Sequence, residues 1–202
     1  MNKSLVGCLV VLLVGAVFAG LLLMGQYNGL VESDQGVRAA WSEVENHYQR
    51  RADLVPNLVA TVKGAADFEQ ETLQRVVEAR SRVGQVSAEA GADILADPQK
   101  FARFQQAQDE LSSALSRLLV VVERYPELRA TQNFADLQHQ LEGTENRIAV
   151  ARTRFNESAQ GYNSRLKRVP TRWFVGLLGW EFQERPYFQA QAGAAEAPRV
   201  QF

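Results

Sequence analysis

Apolar positions divide the chain into one unbroken run and a series of stripes. Leu5 to Met24 reads LVGCLVVLLVGAVFAGLLLM, without a charge or a strongly polar group. As a helix this run spans about 30 Å, one hydrocarbon core. From Val37 the pattern changes. Val37, Trp41, Val44, Tyr48, Arg51, Val55, Leu58 and Val62 alternate by four and three, one face of a long helix packed in coiled-coil style. Pro56 sits inside this stretch and is expected to kink it, and Gly64 to end it. Asp67, with Gln70 three residues on, predicts the capped start of a second helix carrying Phe68, Leu73, Val76, Val77 and Arg80 and running to about Val83. Residues 84–97 lose the period and hold Gly84, Gly91, Asp97 and Pro98, so they are expected to connect, with Pro98 opening a third helix. That helix aligns Phe101, Phe104, Gln108, Leu111, Leu115, Leu118 and Val122, and Tyr125-Pro126 stops or bends it. The longest striped segment starts at Asn133. It places Phe134, Leu137, Leu141, Thr144, Ile148, Ala151, Phe155, Ser158, Tyr162, Leu166 and Val169 on one face before Pro170. No strand-like alternation bounded by turns occurs.

The expected fold class is all-α: an N-terminal transmembrane helix followed by an up-and-down four-helix bundle of long antiparallel helices. The boundaries are a flank (1–4), an anchor (5–24), a juxtamembrane junction (25–36), the bundle (37–170), an aromatic segment (171–188) and a flexible tail (189–202). Segments 28–63 and 133–168 are matched spans of about 54 Å, which returns the chain to the bilayer near Pro170. The anchor presents Leu5, Val6, Leu9, Leu12, Leu13, Phe18, Leu21, Leu22 and Leu23 to lipid. It is too long for a cleavable signal, and Gly25-Gln26-Tyr27 is a poor cleavage site, so an uncleaved anchor is expected. Leu5-Val6-Gly7-Cys8 is similar to a bacterial lipobox, but only Met1 to Ser4 precede it. Cys8 is therefore expected as an ordinary membrane-helix residue, with acylation as the alternative. Gly15/Ala19 and Ala16/Gly20 form small-residue pairs of the kind that let membrane helices self-associate. Lys3 precedes the run and Glu32 and Asp34 follow it, which places the N-terminus in the cytoplasm and the bundle outside.

Charge and residue usage narrow the function. With 22 basic and 23 acidic residues the net charge is −1, without the basic excess of a nucleic-acid binder. One cysteine excludes an intrachain disulfide and a Cys-rich metal site. The two histidines, His47 and His139, lie on helix flanks outside any catalytic motif. Asp136-Leu137-Gln138-His139 and Glu43-Val44-Glu45-Asn46-His47 lack the Glu-x-x-His spacing of a carboxylate-bridged di-metal bundle. No catalytic residue, metal ligand or cofactor is expected.

Two clusters remain as candidate sites. Arg50, Arg51, Asp53 and Asn57 surround Pro56. They either pair with Glu142, Glu145 or Asn146 on the last long helix and set its register, or line a partner groove where Pro56 frees a carbonyl. The segment 171–188 is rich in aromatics. Trp173, Phe174, Trp180 and Phe182 either sit at the membrane–water interface or cap the open end of the bundle.

Ala40-Trp41-Ser42-Glu43-Val44, Arg50-Arg51-Ala52-Asp53-Leu54-Val55-Pro56-Asn57-Leu58-Val59, Val62-Lys63-Gly64, Glu78-Ala79-Arg80, Tyr125-Pro126-Glu127-Leu128 and Glu142-Gly143-Thr144-Glu145-Asn146-Arg147-Ile148-Ala149-Val150-Ala151-Arg152 occur in that order. With Tyr27-Asn28-Gly29-Leu30-Val31, Asn133-Phe134, Leu137-Gln138, Phe155-Asn156, Tyr162-Asn163, Pro170 and Tyr187-Phe188, this chain resembles the LemA family over about residues 1–188. Ala65-Ala66 departs from it, since many members carry an aromatic after the glycine. The resemblance implies a bacterial protein with one membrane helix, a four-helix bundle and no known enzymatic activity. It also implies proximity to membrane proteins bearing TPM domains, and a magnetosome-membrane paralogue that helps build that compartment.

The expected function is a non-enzymatic interaction or scaffold protein anchored in the bacterial inner membrane, with its bundle on the periplasmic side. Arg117, Arg124 and Arg129 near a turn would belong to its working surface. Its partners would be membrane lipid, an unidentified protein such as a TPM-domain membrane protein, or a second copy, and not nucleic acid. The alternatives are a factor that organises or remodels membrane by self-assembly and its aromatic segment, and a ligand-binding or enzymatic bundle with an unrecognised site.

Overall fold

A computed structural model describes residues 3–64, 69–91 and 94–189, with the side chains of residues 3–5, 8 and 90 left aside. All regular structure among these residues is helical. Helix α1 runs without interruption from Lys3 to Lys63. It is followed by α2 (Gln70–Ala90), α3 (Pro98–Val122), the short α4 (Pro126–Arg129), α5 (Gln132–Lys167) and α6 (Thr171–Leu178), and then by an extended segment to Gln189. The expected cap at Asp67, Phe68, the Ala65-Ala66 departure, the side chains of Leu5 and Cys8, and residues 190–202 of the tail lie outside the described residues.

The first half of α1 carries a stretch long and apolar enough to cross a membrane, and its side chains touch little else in the chain. Val6, Leu9, Leu12, Leu13, Phe18, Leu21 and Leu22 are exposed, and Leu23 is half-buried. The junction 25–36 is helix too, so the exposed apolar surface continues into the buried seam as one rod. Every position of that seam is buried, from Val37 and Trp41 through Arg51 to Val62. α1 also continues through Pro56. A proline removes the donor for the carbonyl four residues back. Here that carbonyl belongs to Ala52, and it accepts a hydrogen bond from Arg80 Nε of α2 at 3.1 Å.

α5 packs along α1 in the opposite direction, with Arg154 on Glu43 (2.8 Å) and Arg165 on Gly29 and Ser33. α2 and α3 pair antiparallel, joined by Arg82–Glu110 and Arg124–Glu69. Asp97 caps α3, accepting from Gln99 N at 2.8 Å and Lys100 N at 3.2 Å, with Pro98 in the first turn.

Three sequence expectations need correction. α2 extends to Ala90 instead of about Val83, because residues 84, 85 and 87–89 face solvent and the half-buried Val86 alone writes no stripe. Its buried face is Thr72, Val76, Ala79 and Val83, while Val77 and Arg80 lie outside. On α5, Ala159 takes the core position beside Ser158, and Val169, beyond the helix end, is exposed.

Two core clusters result. The distal one joins α1, α2, α3, α4 and α5 around Leu58, Val76, Leu111, Leu118 and Phe134. The other, toward the apolar run, is aromatic: Trp41, Tyr48, Phe101, Phe104, Phe155, Tyr162 and Phe188. At 21 and 25 residues α2 and α3 are shorter than α1 and α5, at 61 and 36. The C-terminal segment fills the space they leave, bringing Phe188 against Trp41, Phe101 and Phe155 at 6.1, 4.8 and 5.4 Å between rings.

Candidate functional site

The polar cluster around Pro56 separates. Arg51 is 1% exposed and enters the core between the two apolar clusters. Its Nη1 donates to Ser112 Oγ and to Glu145 Oε1 (2.8 Å), and its Nη2 to the Gln108 carbonyl (3.1 Å) and side chain. One guanidinium thus ties α1, α3 and α5 at a single level. Its cation also lies over the Tyr48 ring at 5.1 Å, and burial pushes the Tyr48 hydroxyl up to about 12. Arg50, Asp53, Pro56 and Asn57 are exposed. Asp53 accepts from Gln49 of its own helix, and Glu142 from Gln138 of α5. Of the expected pairings with α5, the structure makes Arg51–Glu145. The Ala52 carbonyl is occupied by Arg80, and Ala52 and Arg80 line a pocket of about 420 Å³ together with Glu45, Tyr48 and Gln108.

The aromatic segment also separates. Trp180 and Phe182 pack on Tyr27 of α1 at 5.1 and 5.6 Å between rings, and both border the aromatic core. Phe174 is half-buried and lies 6.4 Å from Trp180. Trp173 is 65% exposed.

Beyond Trp180 the structure brings together residues that no stripe singled out, of which Asn156, Asn163 and Phe188 entered the sequence argument through family resemblance alone. The extended segment lies along α5 and α3, held by amide side chains. Asn163 Nδ2 donates to the Arg185 carbonyl and Asn163 Oδ1 accepts from the Arg185 N–H, both at 2.8 Å. Asn156 makes the same pair with Phe188, at 3.0 and 2.9 Å. Gln105 of α3 repeats it with Gln189, at 2.9 and 3.2 Å. A side-chain amide offers the donor and acceptor of a peptide group, so each one satisfies a backbone residue as a neighbouring strand would.

Side chains add the specificity. Arg185 is buried and donates from Nε (3.0 Å) and Nη2 (2.5 Å) to Asp34 Oδ1 of α1, and from Nη1 to the Leu95 carbonyl (3.2 Å). Arg38 holds the other Asp34 oxygen at 2.9 Å. Burial pushes the Asp34 carboxyl up, but the hydrogen bonds and charges of Arg38 and Arg185 outweigh it and hold the group below its ordinary range. Phe188 fills the aromatic box, with the Arg152 guanidinium 4.5 Å above its ring. The sequence signal was the seven-residue spacing of Asn156 and Asn163 on one helix. It is silent because a polar residue at a seam edge has no distinctive pattern.

The shallow openings on the surface have mixed polar walls. One of them, about 1130 Å³, is an open groove beside α2 and α3 lined by Arg75, Arg82, Glu110 and Arg117. Among the described residues no three His, Cys, Asp or Glu side chains converge as metal ligands. Of the three arginines near the turn, Arg124 pairs with Glu69, while Arg117 and Arg129 are exposed.

The chain is also similar in sequence to known proteins. The model of the LemA family matches residues 40–202. Magnetosome protein MamQ 2 of Paramagnetospirillum magneticum is 27% identical over 187 residues, covering 84% of this chain and 68% of that protein. Magnetosome protein MamQ of Magnetospirillum gryphiswaldense is 27% identical over 182 residues, 81% of this chain and 67% of that protein. Protein LemA of Metamycoplasma hominis is 20% identical over 143 residues, 71% of this chain and 60% of that protein.

Proposed function

The chain belongs to the LemA family, and from that premise we propose that it is a non-enzymatic interaction protein anchored in the bacterial inner membrane. It presents an up-and-down four-helix bundle on the periplasmic side. The observation that carries this reading is α1, a single helix from Lys3 to Lys63. Its exposed apolar half is long enough to cross a bilayer, and its other half supplies a complete buried seam. With no flexible linker between span and core, the bundle stands at a set height and angle on the membrane, as suits a protein that positions a binding surface.

The density of the interior supports binding over chemistry. The aromatic and aliphatic clusters fill the core, and the buried cation Arg51 is spent on Ser112, Gln108 and Glu145. Working surfaces are then the outer helix faces and the membrane-proximal end. The kinship with proteins named for the magnetosome fits a role tied to a bacterial membrane. The partner is a second copy or another envelope protein, among which a TPM-domain membrane protein is the first to examine.

In-cell crosslinking of tagged full-length protein, after alkaline carbonate extraction of membranes, tests this. Retention in the pellet with reproducible capture of one protein, itself or another, is the expected result. Release by carbonate would overturn the anchored reading, and a membrane-bound chain that captures nothing would overturn the interaction role.

A further inference from the structure

The chain returns to α1 where the apolar run ends, and it does so through α6. Thr171, the first residue of α6, donates from its hydroxyl to Gln26 Oε1 at 2.8 Å. Trp180, two residues past the end of α6, packs on Tyr27. Both ends of α6 are therefore tied to consecutive α1 residues, just beyond Met24. Gly179 makes this return possible: at φ 64° it takes the left-handed conformation that ends the helix and turns the chain.

The inner face of α6, Val175 and Phe174, is half-buried. Its outer face is apolar as well. Trp173 is 65% exposed and Leu177, one turn on, 83% exposed. Large apolar side chains left bare side by side call for a cover, and the surface present at this height is the bilayer that holds α1.

The cations nearby are unevenly engaged. Arg165 is committed to the Gly29 carbonyl and Ser33, and Lys167 to Glu184 at 2.7 Å. Arg168 and Arg172 are exposed, and their guanidiniums make no ion pair among the described residues. An apolar face of Trp and Leu edged by unpaired arginine is the composition of an interfacial helix, with the cations at phosphate level.

Resting on the anchored reading above, we propose that α6 docks on anionic phospholipid of the same bilayer. Trp173 and Leu177 enter the acyl boundary, and Arg168 and Arg172 meet lipid phosphates. The bundle is then held to the membrane at two points, α1 and α6, which fixes its tilt.

Full-length protein in proteoliposomes tests this through quenching of tryptophan fluorescence by brominated acyl chains. Trp41 is in the core and Trp180 packs on Tyr27, so the quenched component belongs to Trp173. We expect it to vanish in W173F and to be larger with phosphatidylglycerol than with phosphatidylcholine alone. In phosphatidylglycerol, R168Q and R172Q each lower the ratio of docked to undocked α6 about fivefold, the equivalent of about 1 kcal/mol per cation at an anionic surface. Both residues are exposed, so the fold survives these changes. Equal quenching in the two lipids, or Trp173 open to aqueous iodide in both, overturns the proposal. So does a photoreactive group at position 177 that captures protein instead of lipid in cells. Carbonate extraction of W173F separates the two readings: the variant stays in the membrane through α1 even where α6 docking fails.

Discussion

Arg80 on α2 donates to the carbonyl of Ala52 on α1, the oxygen that Pro56 leaves without a helical donor. The proline and the arginine are therefore coupled. In the parent protein, Arg80→Ala strands a carbonyl and is expected to cost about 1 kcal/mol. In a Pro56→Ala background residue 56 supplies its own N–H, and the same change is expected to cost close to nothing. Thermal unfolding of the four proteins in detergent gives the coupling energy. Equal costs in both backgrounds would show that Arg80 serves only its own helix.

Arg51 and Glu145 offer a second contrast. Removing Glu145 leaves a guanidinium buried among neutral partners, whereas Arg51→Met removes the charge and keeps much of the volume. Glu145→Ala is expected to cost about 2 kcal/mol. That is below the range for a fully buried pair, because the Glu145 side chain is 38% exposed and water takes part of its place. Arg51→Met should cost less than Glu145→Ala. The reverse order, measured by chemical unfolding, would mean that the hydrogen bonds of Arg51 to Ser112 and Gln108 outweigh its pairing with Glu145.

Acid should loosen the C-terminal segment before it unfolds the bundle. The Asp34 carboxyl is held below its ordinary value of 3.8 in the fold. The unfolded or released state therefore takes up its proton first as pH falls. Stability from Asp34 is fully present above that value and is lost as pH drops through it toward the lower folded value. Hydrogen exchange at the Arg185, Phe188 and Gln189 amides should accelerate below about pH 4, ahead of amides in α1 and α5. Asp34→Asn should give fast exchange at neutral pH and abolish that acid step.

Helix positions were legible in the sequence because burial on one side of a helix writes a period. Trp41, Leu58, Phe101 and Leu118 all fall on the stripe and are all in the core. The stripe missed the helical turns after Val83, where Val86 is the half-buried side chain and residues 84, 85 and 87–89 face solvent, and it gave no sign that the anchor and the span from residue 28 are one unbroken helix. The clasp was illegible for a different reason. Asn156, Asn163 and Gln105 act on backbone atoms of a segment with no period of its own, and Asp34 and Arg185 stand 151 positions apart. Phe188 entered the sequence argument through family resemblance and not through any pattern that placed it in the core.

The amide clasp itself predicts a graded response. Asn163 holds Arg185 by two bonds and is buried, so Asn163→Ala leaves a backbone N–H and C=O unpaired where water has little access. The cost is expected to be about 2–3 kcal/mol, borne by docking of the segment and not by the helices. Gln105 makes the same pair with Gln189 at the exposed end, where water replaces it, so Gln105→Ala should cost less than about 1 kcal/mol. Asn163→Asp keeps the acceptor for the Arg185 N–H but faces the Arg185 carbonyl with a second oxygen, so it should resemble the alanine variant. Limited proteolysis of full-length protein in detergent, followed by mass analysis, reads the outcome. Chymotryptic cleavage after Phe188 should be fast in Asn163→Ala and Asn163→Asp and slow in Gln105→Ala and the parent, with α1 to α5 intact throughout. Slow cleavage in all four would mean that Phe188 in its aromatic box and the Asp34–Arg185 pair hold the segment without the amides.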